Sequence, residues 1–505
     1  MNDTKPTDLL HHIYDQELGF RLSNFSIKPV HVANGLGRSL TGRTYETSAV
    51  ARTLRRWVRK QKLGVDEERN PNERILTDYG SAFESTRGAP QPSDQRLSTL
   101  RVLAFGVIGA DGAVFEQPDK SSYTFSNERL LTRDPSDDRA GLFLARLLGA
   151  ELATPNDASG YILELLQSES DAVTTLALPL LQFARAREET ESTELATRVA
   201  KSDHLFGTAD GVLTSSGLHR LRTAYDRLAR FESAGGSKLN SLRRLMLFGC
   251  FVLHVHAVTR WSERGTGAPR PPILLDVSDG TVVSIRDASR ATLSAAGRSL
   301  EGLIRSGMEE YVLSELGADA QQIQSALDSM EESTDLTALR ASFSSRLAST
   351  DAVDAMTRAL VSAALANERE HPIGHLVELG RRAGFLAPWT NAGRGGKLQK
   401  RYSASAEFLE TLIAATVEPD CPLEFPEFLD RLRSTFGILV GRPEDDDQIR
   451  RNNLGDMTFG TTTSVNEEDL RHNVEQLREL VLESGYGKAY ADGRTIVTTR
   501  PEGQL

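Results

Sequence analysis

Apolar residues recur at helical spacing through most of this chain. RAGLFLARLLGA, GYILELLQ, SDAVTTLALPLLQFARAREE and SSGLHRLRTAYDRLARFES, all between Arg139 and Ser233, each carry an apolar stripe with charged residues opposite. SLRRLMLFGCFVLHVHAVTRW (Ser241 to Trp261) is apolar almost all round, the pattern of a helix enclosed by others. One interruption, PRPPILLDVSDGTVVSI, predicts a strand over Ile273 to Val277 that ends at Asp279-Gly280. Acidic segments of helical spacing then run from Ser314 to Glu370.

The two ends of the chain read differently. Near the start, Phe25 to Ala33 predicts a strand, followed by the glycine-bearing NGLGRSLTGR. SAVARTLRRWVRKQKLG then predicts a helix on Val50, Leu54 and Val58, and TLRVLAFGVIGADGAVFEQ predicts a hairpin about Asp111-Gly112. At the other end, His371 opens a helix with Ile373, Leu376, Val377, Gly380 and Ala383 on one face. A short apolar segment (Phe385 to Trp389), a Gly- and Asn-rich turn and an extended segment around Tyr402 follow, and Ser405 is placed to cap a further helix. FPEFLDRLRSTFGILVG is another amphipathic helix, and a polar loop over RPEDDDQIRRNNLGDMTFGTTTS separates it from the last one. Ser464 and Glu467 have capping-box spacing before a helix on Leu470, Val474, Leu477 and Val481. That helix stops at Gly485, and GKAYADGRTIVTT predicts a hairpin around Asp492-Gly493.

Helix followed by strand, turn and strand is winged-helix order, and it occurs twice. The expected fold is therefore mainly α and multi-domain. It has a mixed α+β N-terminal region over residues 1–135, a helical core domain over 136–370 and tandem winged-helix-like units over 371–505.

Composition narrows the function classes. A chain of 505 residues is long for a single ordinary core. Its 39% hydrophobic and 26% charged content is that of a globular protein, and only 6% is aromatic. Two cysteines, Cys250 and Cys421, support neither a disulfide framework nor a Cys-based zinc site. The N-terminus lacks a basic start followed by an apolar run, and the longest apolar run, Leu245 to Val258, is short for a bilayer span. A cytoplasmic location with no membrane partner is expected.

Charge supplies the main functional clue. The net charge is −11, yet no carboxylate lies between Leu379 and Ala406, where Arg381, Arg382, Arg394, Lys397, Lys400 and Arg401 all fall. Such a local reversal of sign suits a phosphate-facing surface, with the intervening glycines allowing close approach to a backbone. A second basic group, Arg52, Arg55, Arg56 and Arg59, shares one side of the expected helix opposite its apolar stripe. The glycines Gly35, Gly37 and Gly42 before it could aim amides at a phosphate, although no P-loop or dinucleotide fingerprint is present.

Candidate chemistry is thin elsewhere. His371, His375 and Glu378 have suggestive spacing, but Pro372 stands where a His-Glu-x-x-His motif needs its glutamate. His254 and His256 point to nearly opposite sides of a helix, so buried core histidines are the simpler expectation. Asp276, Ser278 and Gly280 lie at a strand end and depart from the Asp-x-Ser-x-Ser metal site of von Willebrand factor A domains at Gly280. No nucleophile elbow or kinase motif set occurs. The expected function is a non-enzymatic, DNA-associated accessory or adaptor subunit, without cofactor, of a bacterial DNA-processing or phage-defence assembly. Its partners would be DNA and other protein subunits. The alternatives are a protein scaffold without nucleic-acid affinity and an enzyme with a scattered metal site near Asp276.

Overall fold

The computed structural model describes residues 6–22, 28–41, 98, 127–128, 139–149, 157–171, 215–265, 267–330, 334–366, 372–387, 400–442, 445 and 465–499. In chain order the helices begin with α1 (Pro6–Glu17), α2 (Pro29–Thr41), α3 (Ala140–Gly149) and α4 (Asp157–Gln167). Then come α5 (Ser216–Ser233), α6 (Lys238–Glu263), strand β1 (Ile273–Leu274) and the long α7 (Val283–Tyr311), which runs into a π-helical turn, Val312–Leu316. Next are α8 (Ala320–Asp328), α9 (Thr334–Leu347), α10 (Ala352–Ala366), α11 (Pro372–Ala383), β2 (Leu386–Ala387) and β3 (Arg401–Tyr402). The last described elements are α12 (Ala406–Thr416), β4 (Leu423–Glu424), α13 (Phe425–Phe436), β5 (Ile438–Leu439), α14 (Glu467–Glu483), β6 (Gly487–Ala489) and β7 (Thr495–Val497). The described residues are thus mostly helical, as the apolar periodicity predicts.

Helix α6 is the axis of the packing. Every residue from Leu245 to Thr259 is buried, because α2, α5, α7, α11 and α12 all pack against it. It is long and apolar enough to cross a membrane by length and composition, and 89% of its apolar window is buried inside the protein. Phe251 makes edge contacts to Phe385 at 5.3 Å, Phe408 at 5.2 Å and Phe436 at 5.6 Å, which ties α6 to the C-terminal elements. Buried apolar residues from Leu9 to Val497 form one continuous cluster that runs across the positions near 135 and 370 where the sequence changes character.

The strands are short and serve as joints. β1 pairs in parallel with β5, and the Asp276 amide donates to the Tyr402 carbonyl at 3.0 Å, which brings β3 alongside. β2 and β3 are antiparallel, with Leu386 opposite Tyr402 and Ala387 opposite Arg401. β4, β7 and β6 form an antiparallel sheet in that order. Asn473, fully buried on α14, donates to the carbonyls of Leu275 (2.8 Å) and Val440 (2.7 Å) and accepts from the Val277 amide (3.1 Å). It thereby satisfies the backbone where β1 and β5 end.

Several local expectations are corrected. The strand over Phe25 to Ala33 is helical from Pro29 onward, and Gly35 and Gly37 lie inside α2 rather than in a loop. Their amides belong to a helix interior, so they cannot cradle a phosphate. The glycines serve packing: a Cβ on Gly141 of α3 would meet the Leu36 nitrogen at 2.3 Å and the Gly35 Cα at 2.5 Å. Only bare backbones can cross so closely. Asn466, not Ser464, caps α14 by accepting from the Asp469 amide at 2.7 Å. Asp445, at the start of the stretch expected as a polar loop, is buried and accepts from the amides of Val440, Gly441 and Arg442. The basic helix bearing Arg52, Arg55, Arg56 and Arg59, the hairpin about Asp111-Gly112, Gly42 and the helix over 172–189 lie outside the described residues.

Candidate nucleic-acid interface

Helix α11 starts at Pro372, where the missing amide costs nothing, and turns its apolar residues onto α6, α7 and α2. Gly384 (φ +84°) ends it and turns the chain into β2. Ser405 accepts from the Phe408 amide at 3.2 Å and starts α12, as its position predicts. Arg381, Arg382 and Arg401 are therefore carried by anchored elements.

Their surroundings differ sharply. Arg381 donates to Glu378 at 2.7 Å, and Arg382 lies 3.7 Å from the same carboxylate. Burial pushes the Glu378 carboxyl up, but the hydrogen bond and charge of Arg381, with Arg382 and Lys400, outweigh it and leave the group below its ordinary value. Arg381 and Arg382 thus face one carboxylate, and Lys400 acts on it by charge. Arg382 is pulled down by burial, against the opposing effect of Glu378. Its side chain keeps 26% of its surface in solvent, against 13% for Arg381. Arg394 and Lys397, like the Arg52 group, lie outside the described residues.

Arg401 does not belong to this surface. Its Nε lies 2.6 Å from Asp276 Oδ2, and the two side chains are 6% and 0% exposed. Asp279, on the exposed turn, adds a contact at 3.3 Å. Asp276 Oδ1 accepts from the Ser278 amide (2.9 Å) and hydroxyl (2.7 Å). The turn that makes this possible has Asp279 and Gly280 at positive φ, and a Cβ at 280 would sit 2.9 Å from the Arg401 guanidinium. A guanidinium held this way cannot also face a phosphate, so Arg401 is a structural residue. The same bonds occupy Asp276, and among the described residues no group of three or more His, Cys, Asp or Glu side chains is placed to hold a metal ion.

The two histidines of α6 are internal. His254 Nε2 lies 2.8 Å from the Tyr402 hydroxyl, and His256 Nε2 lies 3.2 Å from the Leu18 carbonyl. Burial lowers both imidazoles to about 3, with Arg260 reinforcing the effect at His256. His375 is buried in α11, and His371 lies outside the described residues.

The second helix-and-hairpin has the opposite charge. α14 exposes Glu467, Glu468, Arg471, His472, Glu475, Glu479 and Glu483, an acidic face. The Arg494 guanidinium of its hairpin is already held by Asp492 at 2.6 Å and Glu424 at 3.3 Å. Glu378 and Glu424 are the residues that charge counting along the sequence missed. The first stands one position before the carboxylate-free window, and the second lies 70 residues from its partner. No protein family, curated protein or solved structure matches this chain.

Proposed function

We propose that this chain is a cytoplasmic, non-enzymatic adaptor subunit that associates with duplex DNA through a winged-helix-like unit built on α11, β2 and β3. The supporting observation is that Arg381, Arg382 and Lys400 all act on the Glu378 carboxylate, at the base of an antiparallel strand pair. The second unit is read the same way from α14, β6 and β7, with the strand order β4–β7–β6 in its favour. Every residue of α11 is buried or half-buried, so that helix has no face free to enter a major groove. Contact is then by charge alone, to phosphates, without reading sequence.

The test is titration of a fluorescent duplex at two salt concentrations. Four phosphate contacts, from Arg382, Arg394, Lys397 and Lys400, predict a log–log slope of about −3.6, a loss of about 150-fold between 50 and 200 mM salt. Reversing those four residues to Glu, with Arg401 left intact, should abolish binding while circular dichroism stays unchanged. Absent or salt-insensitive binding refutes the proposal. Absent binding together with a stoichiometric protein partner supports the scaffold reading instead, which the acidic exposed face of α14 favours.

A further inference from the structure

On the side of α13 facing the α6–β1 connection lies a cleft of about 500 Å³, lined by Arg270, Glu427, Asp430, Arg431, Arg433, Ser434 and Gly437. Its volume is in the range of small-ligand sites, but it contains no apolar side chain large enough to grip a ring or an acyl chain. Recognition there must rest on charge. Most of the lining charges are already matched: Arg431 with Glu427 at 3.4 Å, and Asp430 with Arg442. Arg433 is loosely held, 3.7 Å from Asp445, whose other oxygen is taken by three backbone amides.

Arg270 differs from the others. Its Nε is buried without a hydrogen-bond acceptor, and among the described residues it has no carboxylate within ion-pair distance. Burial and the like charge of Arg220 act against its protonated form, and the more distant Glu263 only partly offsets them. Glu263 is itself turned toward Gly217 and the Thr259 hydroxyl. The guanidinium lies over Gly437, where a Cβ would stand 3.3 Å from its Nε, so the glycine (φ +77°) leaves the room it occupies. A half-buried cation that a distant carboxylate offsets only in part is costly, and a closer counter-charge would relieve it.

We propose that this cleft binds a small, multiply charged anion of phosphate type, with Arg270 as its principal ligand and Arg433 as the second. Two guanidinium groups offer the forked donors that phosphate oxygens accept, and no base-binding wall accompanies them. The ligand class is therefore inorganic polyphosphate or a phosphate-rich small molecule rather than a nucleoside recognised by its base.

Calorimetric titration with inorganic pyrophosphate and with triphosphate tests this. The wild type should bind both, and each should raise the thermal midpoint of unfolding. Arg270→Gln should weaken binding on the order of tenfold or more, and Arg433→Gln by less. Without anion, Arg270→Gln should unfold at the wild-type temperature or above, because an unmatched buried charge has been removed. If the guanidinium instead serves only to cap the C-terminal end of α13, the substitution lowers the midpoint and pyrophosphate has no effect on the wild type. That result overturns the proposal, as does unchanged affinity in Arg270→Gln.

Discussion

Replacing Arg401 with Met would remove the guanidinium from Asp276 while keeping the aliphatic stem. Asp276 is fully buried and would retain only the two bonds from Ser278, both to Oδ1. Oδ2 would then carry charge in the interior with no partner. Breaking a buried pair in this way costs about 3–5 kcal/mol. The contact to Asp279 adds little, at most about 1 kcal/mol, because that carboxylate is 87% exposed. Asp276→Asn alone should also cost stability, since it removes the buried charge that the guanidinium faces at 2.6 Å. The double variant should cost less than the sum, with a coupling of about 2–3 kcal/mol. Urea unfolding followed by tryptophan fluorescence measures all three. A loss under about 1 kcal/mol for Arg401→Met, or strict additivity, would refute the structural assignment and return Arg401 to the solvent-facing basic surface.

Acid should destabilise the fold through His254 and His256. Both imidazoles are held near 3 in the folded protein, against an ordinary value of 6.5, and neither Nδ1 has an acceptor for an added proton. The unfolded chain therefore takes up protons below pH 6.5 and the folded one does not, so stability is full above that pH and falls below it. The two together predict a slope that approaches about 2.7 kcal/mol per pH unit below pH 6.5, and a loss of roughly 3 kcal/mol between pH 6.5 and 5. His256→Gln should halve the slope of stability against pH, and an unchanged slope would count against the reasoning. Gly141→Ala should cost about 1–3 kcal/mol of stability through overpacking of α3 on α2, and so lower the thermal midpoint, since the new methyl meets backbone that cannot turn aside. An unaltered midpoint would mean that the two helices can separate freely.

Much of the local structure is legible in the sequence. Apolar spacing located α3 to α6 and α11 to α14, Ser405 marked a cap, and Asp492-Gly493 marked a hairpin turn. Such signals lie within a few residues of the element they specify. The glycines of α2 were misread because a loop and a close helix crossing ask for the same residue, and the difference lies in Gly141, far along the chain. The burial of Asp445 is not legible in a polar stretch, because it depends on three nearby amides turning inward to meet it.

For the basic stretch, the sequence by itself determined the order of helix and strands and the absence of carboxylates from Leu379 to Ala406. Tertiary structure decided which charges remain available. Arg401 finds Asp276 125 residues earlier and becomes internal, whereas Arg382 stays at 3.7 Å from Glu378 with a quarter of its side chain in solvent. Periodicity follows from local backbone geometry and can be read along the chain. The fate of a charge depends on which opposite charge the folded chain brings within about 4 Å, and that distance exists only after packing.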